Sequence, residues 1–121
     1  FPCGGATLRL PKEMGRANAM RYLLTGDEWT AEEAYRTGLV QHVTAPGKQL
    51  EKALELARRV ATAAPLGVRY ILKNSRTAEL QGEKAARQDS FQDVAGVMKS
   101  EDMREGLQSF IERRAAVFKG K

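Results

Sequence analysis

Apolar residues recur through most of this chain at steps of three and four, the spacing that gathers them on one face of a helix. After Pro11, the run KEMGRANAMRYLLTG places Ala17, Met20 or Arg21, and Leu24 at helical spacing, and Gly26 suits a left-handed exit. Gly15 weakens that helix. In WTAEEAYRTG, Thr30 followed three residues later by Glu33 forms a capping box, Trp29 is placed to staple onto Ala34, and Gly38 ends a short helix. GLVQHV lies between that glycine and the turn Ala45-Pro46-Gly47, which predicts one short strand near residues 39–43.

Everything beyond Gly47 reads as amphipathic helix. Leu50, Ala53, Leu54, Ala57, Val60 and Ala61 share a face until Pro65, which in turn opens a helix carrying Val68, Ile71 and Leu72. Gly82 separates this from a helix with Ala86, Phe91, Val94 and Met98 on its apolar face. Ser100 caps the last helix, with Glu101 and Asp102 near its positive end and Met103, Leu107, Phe110 and Ile111 on one side. A single strand leaves its own edges unpaired, and stripes this wide need a covering surface. The pattern therefore predicts that further strands lie upstream or in another chain. It also predicts that this chain alone exposes a large apolar area. The opening FPCGG, apolar and without an initiator methionine, reads like the interior of a longer chain.

At 121 residues, with 42% hydrophobic and 29% charged positions, the composition is that of one globular domain with a modest core. No apolar run has the length of a membrane span, and no signal-peptide layout is present; a cytoplasmic protein is the expectation. Cys3 stands alone, which excludes an internal disulfide, and Cys3 with His42 makes no metal-binding cluster. The net charge of +5 fits a solvated basic surface or an anionic partner. Sequence motifs for nucleic-acid binding are absent, so nucleic acid is a minor candidate. A phosphate-bearing small ligand is attracted by the same charge.

In this order and at these spacings, the loop FPCGGATLRLPKEMG, the stretch NAMRYLLTGDEWTAEEAYRTGLVQHV, the PLGV helix and the ending EGLQSFIERRAAVFKGK resemble the C-terminal half of the crotonase superfamily, the enoyl-CoA hydratases and isomerases. The most specific part runs from Leu24-Thr25-Gly26 through Ala34 to Gly38-Leu39-Val40. Glu105-Gly106 with Phe110 to Lys121 is a second match. The resemblance implies an α/β crotonase-like (ClpP/crotonase) fold, of which this stretch is a mainly helical part. Residues 1–47 would close the catalytic core, and residues 48–121 would be a helical trimerisation region. It implies an acyl-CoA enzyme, first of all an enoyl-CoA hydratase adding water syn to a 2-enoyl thioester. No metal or redox cofactor is expected, the coenzyme A thioester being the substrate. An enoyl-CoA isomerase, another activity of the family, and a non-catalytic CoA-binding or oligomerisation module are the alternatives.

Family hydratases stabilise a thioester enolate with two N–H donors while carboxylates move water and a proton. By resemblance those groups lie upstream of Phe1, in a missing N-terminal half, and no catalytic residue is assigned here. Glu13, Asp27, Glu28, Glu32 and Glu33 read as helix-start or surface acids. Cys3, Gly4 and Gly5 are assigned to substrate binding. By the resemblance Cys3 would be a small packed residue beside the acyl group; a nucleophilic thiol is the other reading, but it needs a base and nothing in the sequence places His42 near it. Gly4 and Gly5 allow close backbone approach to the thioester, or form an ordinary tight turn. Phe110 and Arg113 would meet the adenine and phosphates of CoA bound in the neighbouring subunit of a trimer or a dimer of trimers. Core packing for Phe110, and a solvated basic tail for Arg113, Arg114, Lys119 and Lys121, are the other readings. Val94 stands where some members carry a further aromatic.

Overall fold

The computed structural model describes residues 4–121, which form seven helices: α1 (Ala6–Met14), α2 (Arg16–Thr25), α3 (Ala31–Arg36), α4 (Gln49–Ala61), α5 (Pro65–Gln81), α6 (Glu83–Met98) and α7 (Glu101–Glu112). Two compact units result, one ending at Lys52 and the other running from Ala53 to Lys121, with the change falling inside α4.

In the first unit, the single helix expected over residues 11–25 is two. It begins earlier, at Ala6, and breaks at Gly15, whose φ of 78° and ψ of 148° no helix accommodates. Pro11 lies within α1, where its ring removes one helical N–H donor. The Asn18 amide donates to the Met14 carbonyl across the break (2.9 Å), tying the start of α2 to the end of α1. Met14, Ala19 and Tyr22 are buried at this junction, with Leu10, Met20, Leu23 and Leu39 packed around them. Gly26, at φ 73°, ends α2 by donating its N–H to the Tyr22 carbonyl.

The expected strand near residues 39–43 is absent; among the described residues there is no strand. Gly38 turns left-handed (φ 84°), and the N–H groups of Leu39 and Val40 both donate to the Ala34 carbonyl, at 2.9 and 3.3 Å. These donors are spent on the end of α3, and the Leu39 side chain is spent on the α1–α2 core. A strand also needs a neighbouring edge to receive its remaining groups, and none is present among the described residues.

In the second unit, α5 and α6 form a helical hairpin through Gly82 (φ 89°). Side chains stitch the pair: Tyr70 Oη with Ser90 Oγ (2.7 Å), the Asn74 amide to the Ala86 carbonyl (2.9 Å), and Lys73 with Asp93 (2.7 Å). Pro65 opens α5 and Ser100 caps α7, its Oγ accepting from Met103 N–H at 3.0 Å, as the pattern predicts. Residues 115–121 have no regular structure and fold back along α7. Asp102, 3% exposed, accepts from the backbone N–H groups of Lys119 and Gly120 at 2.7 and 2.8 Å.

The apolar stripes stay uncovered. Leu50 and Val60 on α4, Ile71 and Leu72 on α5, Phe91 on α6, and Phe110 and Ile111 on α7 are all more than half exposed. Among the described residues only five hydrophobic side chains are buried, so most of the apolar surface of these helices is exposed.

Candidate functional site

The two glycines of the opening loop both adopt left-handed backbone, with φ of 74° and 85°. Gly5 starts α1: its carbonyl accepts from the N–H groups of Leu8 and Arg9 at 3.1 and 3.0 Å. A Cβ added at Gly5 would lie 2.9 Å from Arg9 Nη1, the far end of a flexible side chain, while one added at Gly4 meets nothing within 4 Å among the described residues. Glycine is therefore required by conformation at both positions. Cys3 lies outside the described residues. His42 is exposed in the irregular segment after α3.

Glu33 is the centre of the first unit's polar network. Its backbone N–H completes half of the expected capping box by donating to Thr30 Oγ1 (3.2 Å). Its carboxylate does not close the other half. It accepts two hydrogen bonds from Arg36, both 2.6 Å, and one from Tyr22 Oη at 2.8 Å. Arg36 first, and Tyr22 second, hold the Glu33 carboxyl at about 2, well below its ordinary 4.5. The same bond pushes the Tyr22 phenol up. Trp29 packs edge-on against Tyr22, with ring centroids 4.8 Å apart, and Arg21 lies over the Tyr22 ring. Tyr22 and Trp29 thus build the junction of α2 and α3, while Met20 packs on the α1–α2 core.

A second network sits at the end of α7. Asp102, Glu105, Ser109 and Glu112 share a face, at the helical steps that keep side chains aligned. Arg114, just past the helix, reaches back to Glu105 with both terminal nitrogens and to Glu112 with Nε. Glu105 also accepts the N–H of Val117 at 2.8 Å. Arg114 chiefly, then Val117, hold the Glu105 carboxyl at about 2. Gln108 and then Arg114 draw Glu112 downward as well, and the two carboxylates raise Arg114. A general acid or base works best when poised near the operating pH; Glu33 and Glu105 are held far below it and serve as anchors.

Between the glutamates' partners lies Arg113, in left-handed backbone (φ 53°, ψ 40°), the single described non-glycine residue with positive φ. The conformation costs about 1 kcal/mol in a side chain with a Cβ. It turns the chain so that Arg113 N–H meets the Phe110 carbonyl and Arg114 N–H meets that of Ser109, a Schellman-type closure. The Arg113 side chain is exposed and makes no hydrogen bond or ion pair among the described residues. Phe110 is 84% exposed. It lies at one side of an apolar groove of about 410 Å³, whose walls include Leu66, Val97, Met103, Leu107 and Phe118. Core packing within this chain is thus not what Phe110 does. Arg114, read from the sequence as one more solvated tail cation, is committed to carboxylates. No helical spacing links positions 105 and 114, so only the reversal of the chain after α7 reveals the pair.

Among the described residues no group of His, Cys, Asp and Glu is placed to hold a metal ion, and no helix is long and apolar enough to cross a membrane.

The sequence pattern of the family described as enoyl-CoA hydratase/isomerase matches residues 1–121. An enoyl-CoA hydratase of Mycobacterium tuberculosis is 38% identical over 121 residues, covering all of this chain and 46% of that protein. A carnitinyl-CoA dehydratase of Salmonella typhi is 36% identical over 124 residues, covering 99% and 48%. Among solved structures, an enoyl-CoA hydratase from Bacillus anthracis superposes with a TM-score of 0.87 at 33% identity, over 97% of this chain and 45% of that one. The enoyl-CoA hydratase structure from M. tuberculosis H37Rv gives 0.86 at 32% identity, over 97% and 46%. The helices above are thus part of a crotonase fold. The chain belongs to the enoyl-CoA hydratase/isomerase family. It spans about half the length of the relatives it matches. The narrower expectation, that the likeness is to a C-terminal half alone, receives no support from these matches, which establish a share of length.

Proposed function

We propose that these residues form part of an acyl-CoA enzyme that adds water to 2-enoyl-CoA thioesters, or removes it in the reverse direction. The match of the family pattern to every position of the chain carries this reading. The hydratase and dehydratase relatives favour water addition and elimination over migration of the double bond. In the forward reaction hydroxide equivalent adds to the β-carbon and a proton to the α-carbon, with no net oxidation, so neither metal nor redox cofactor is invoked. No catalytic acid is assigned among these residues, because Glu33 and Glu105, the acids with the largest displacement, are bound up as anchors.

In this reading Gly4 and Gly5, with Cys3 before them, lie beside the thioester, where left-handed backbone leaves room for close approach. Phe110 offers its exposed ring to adenine, and Arg113 offers its unpaired guanidinium to phosphate. Residues 48–121 assemble the enzyme into a trimer or a dimer of trimers. The exposed apolar faces of α4 to α7 supply surface for that assembly.

The test is turnover of crotonyl-CoA by the natural polypeptide that carries these residues. Loss of the conjugated thioester absorbance, with one water gained in the product mass, is expected. Conversion of a 3-enoyl to a 2-enoyl thioester without uptake of water would overturn the hydratase reading.

A further inference from the structure

We propose that Glu105 and Arg114 are positioning residues for coenzyme A: they lock the left-handed turn at Arg113 and so hold Arg113 toward the phosphates at the nucleotide end of the ligand. This deepens the reading above and rests on it.

A side chain in left-handed backbone persists when its surroundings over-determine it. At Arg113 the surroundings are the two residues in question. The Glu105–Arg114 pair is two-pronged, and such a fork fixes direction as well as distance. Arg114 also takes Glu112 through Nε, while Glu105 takes Val117 N–H at 2.8 Å, so the chain after the turn is pinned to α7 at two points.

The pair has a second, electrostatic effect. Glu112 immediately precedes Arg113 and is the carboxylate best placed in sequence to neutralise it. Arg114 and Gln108 occupy Glu112 instead. Arg113 is left exposed and without a partner among the described residues, which is the state a phosphate ligand needs. Remove Arg114, and both Glu105 and Glu112 are released to compete with phosphate for Arg113.

The experiment compares Glu105→Gln and Arg114→Gln with wild type in the natural polypeptide, using crotonyl-CoA and crotonyl-pantetheine, which lacks the nucleotide. Both variants should raise KM for crotonyl-CoA about tenfold, the worth of one charge-assisted hydrogen bond. Their kcat should hold, and KM for crotonyl-pantetheine should stay at the wild-type value. Loss that is equal for the two substrates, or no change in either, would overturn the positioning role. If Arg114→Gln does not fold, as judged by its thermal melt, Arg114→Lys carries the test. Lysine keeps the charge but not the fork, and the same selective rise is expected. A wild-type protein inert toward both thioesters sinks the acyl-CoA reading and this inference with it. A wild-type protein that prefers CoA, with the preference intact in the variants, sinks this inference alone.

Discussion

Replacing Asp102 by alanine should free the C-terminal segment while leaving α7 folded. The Asp102 carboxylate is buried and accepts two backbone N–H groups, from Lys119 at 2.7 Å and Gly120 at 2.8 Å. A hydrogen bond to a charged acceptor contributes about 1.5 kcal/mol at the lower end of its range, so two contribute about 3 kcal/mol. The carboxylate's place in the first helical turn adds about 0.5 kcal/mol, and alanine's better helix propensity returns a similar amount. The backbone bond from Asp102 N–H to the Lys121 carbonyl survives the change. A net loss of about 3 kcal/mol makes opening of the tail about a hundredfold more frequent.

Amide hydrogen exchange on the natural polypeptide reads this directly. The amides of Lys119 and Gly120 should exchange about a hundredfold faster in Asp102→Ala, while the interior amides of α7 keep their wild-type rates. Asp102→Asn should fall between, because its one amide oxygen can accept while its NH2 opposes the second donor. Unchanged exchange at Lys119 and Gly120 would refute the anchor. So would a uniform acceleration through α7, which would mean that the helix unfolds as a unit.

The carboxyls of Glu33 and Glu105, held at about 2 against an ordinary 4.5, stabilise the fold fully above about pH 4.5 and lose that effect as pH falls toward 2. Thermal midpoints should therefore drop over this window, and drop less in Glu33→Gln; parallel declines would count against the assignment. Gly4→Ala and Gly5→Ala should each destabilise by about 1 kcal/mol, because both positions need left-handed backbone. Denaturant titrations that find either change neutral would contradict this. The 121 residues expressed alone should sediment as oligomers or aggregates, given the exposed faces of α4 to α7. A monodisperse, cooperatively unfolding monomer would show that those faces need no partner.

Helix positions were legible in the sequence where a local device fixed them. Pro65, Gly82 and Ser100 act within a few residues of themselves, and each marks a boundary that the structure keeps. The strand near residues 39–43 was misread because its pattern is ambiguous until a neighbouring edge exists. The N–H groups of Leu39 and Val40 found an acceptor at the end of α3 instead. The bend at Gly15 was half legible: glycine signalled weakness, but not that Asn18 would bond across it to Met14. What the helical faces would be packed against was not legible at all, since that depends on surface outside the described residues.

The basic character of the chain shows the same division between composition and wiring. A net charge of +5 points to an anionic partner but gives no location. The structure distributes the cations: Arg36 is taken by Glu33, Lys73 by Asp93, and Arg114 by Glu105 and Glu112. The first pair lies within α3, the second ties α5 to α6, and the third ties α7 to the chain that follows it. Arg113 is left exposed, one residue from the most heavily paired arginine and one helical turn from an exposed aromatic ring. The pairing of Arg114 and the availability of Arg113 are therefore two consequences of one turn. A count of charges could not have separated them, whereas the reversal of the chain after α7 does.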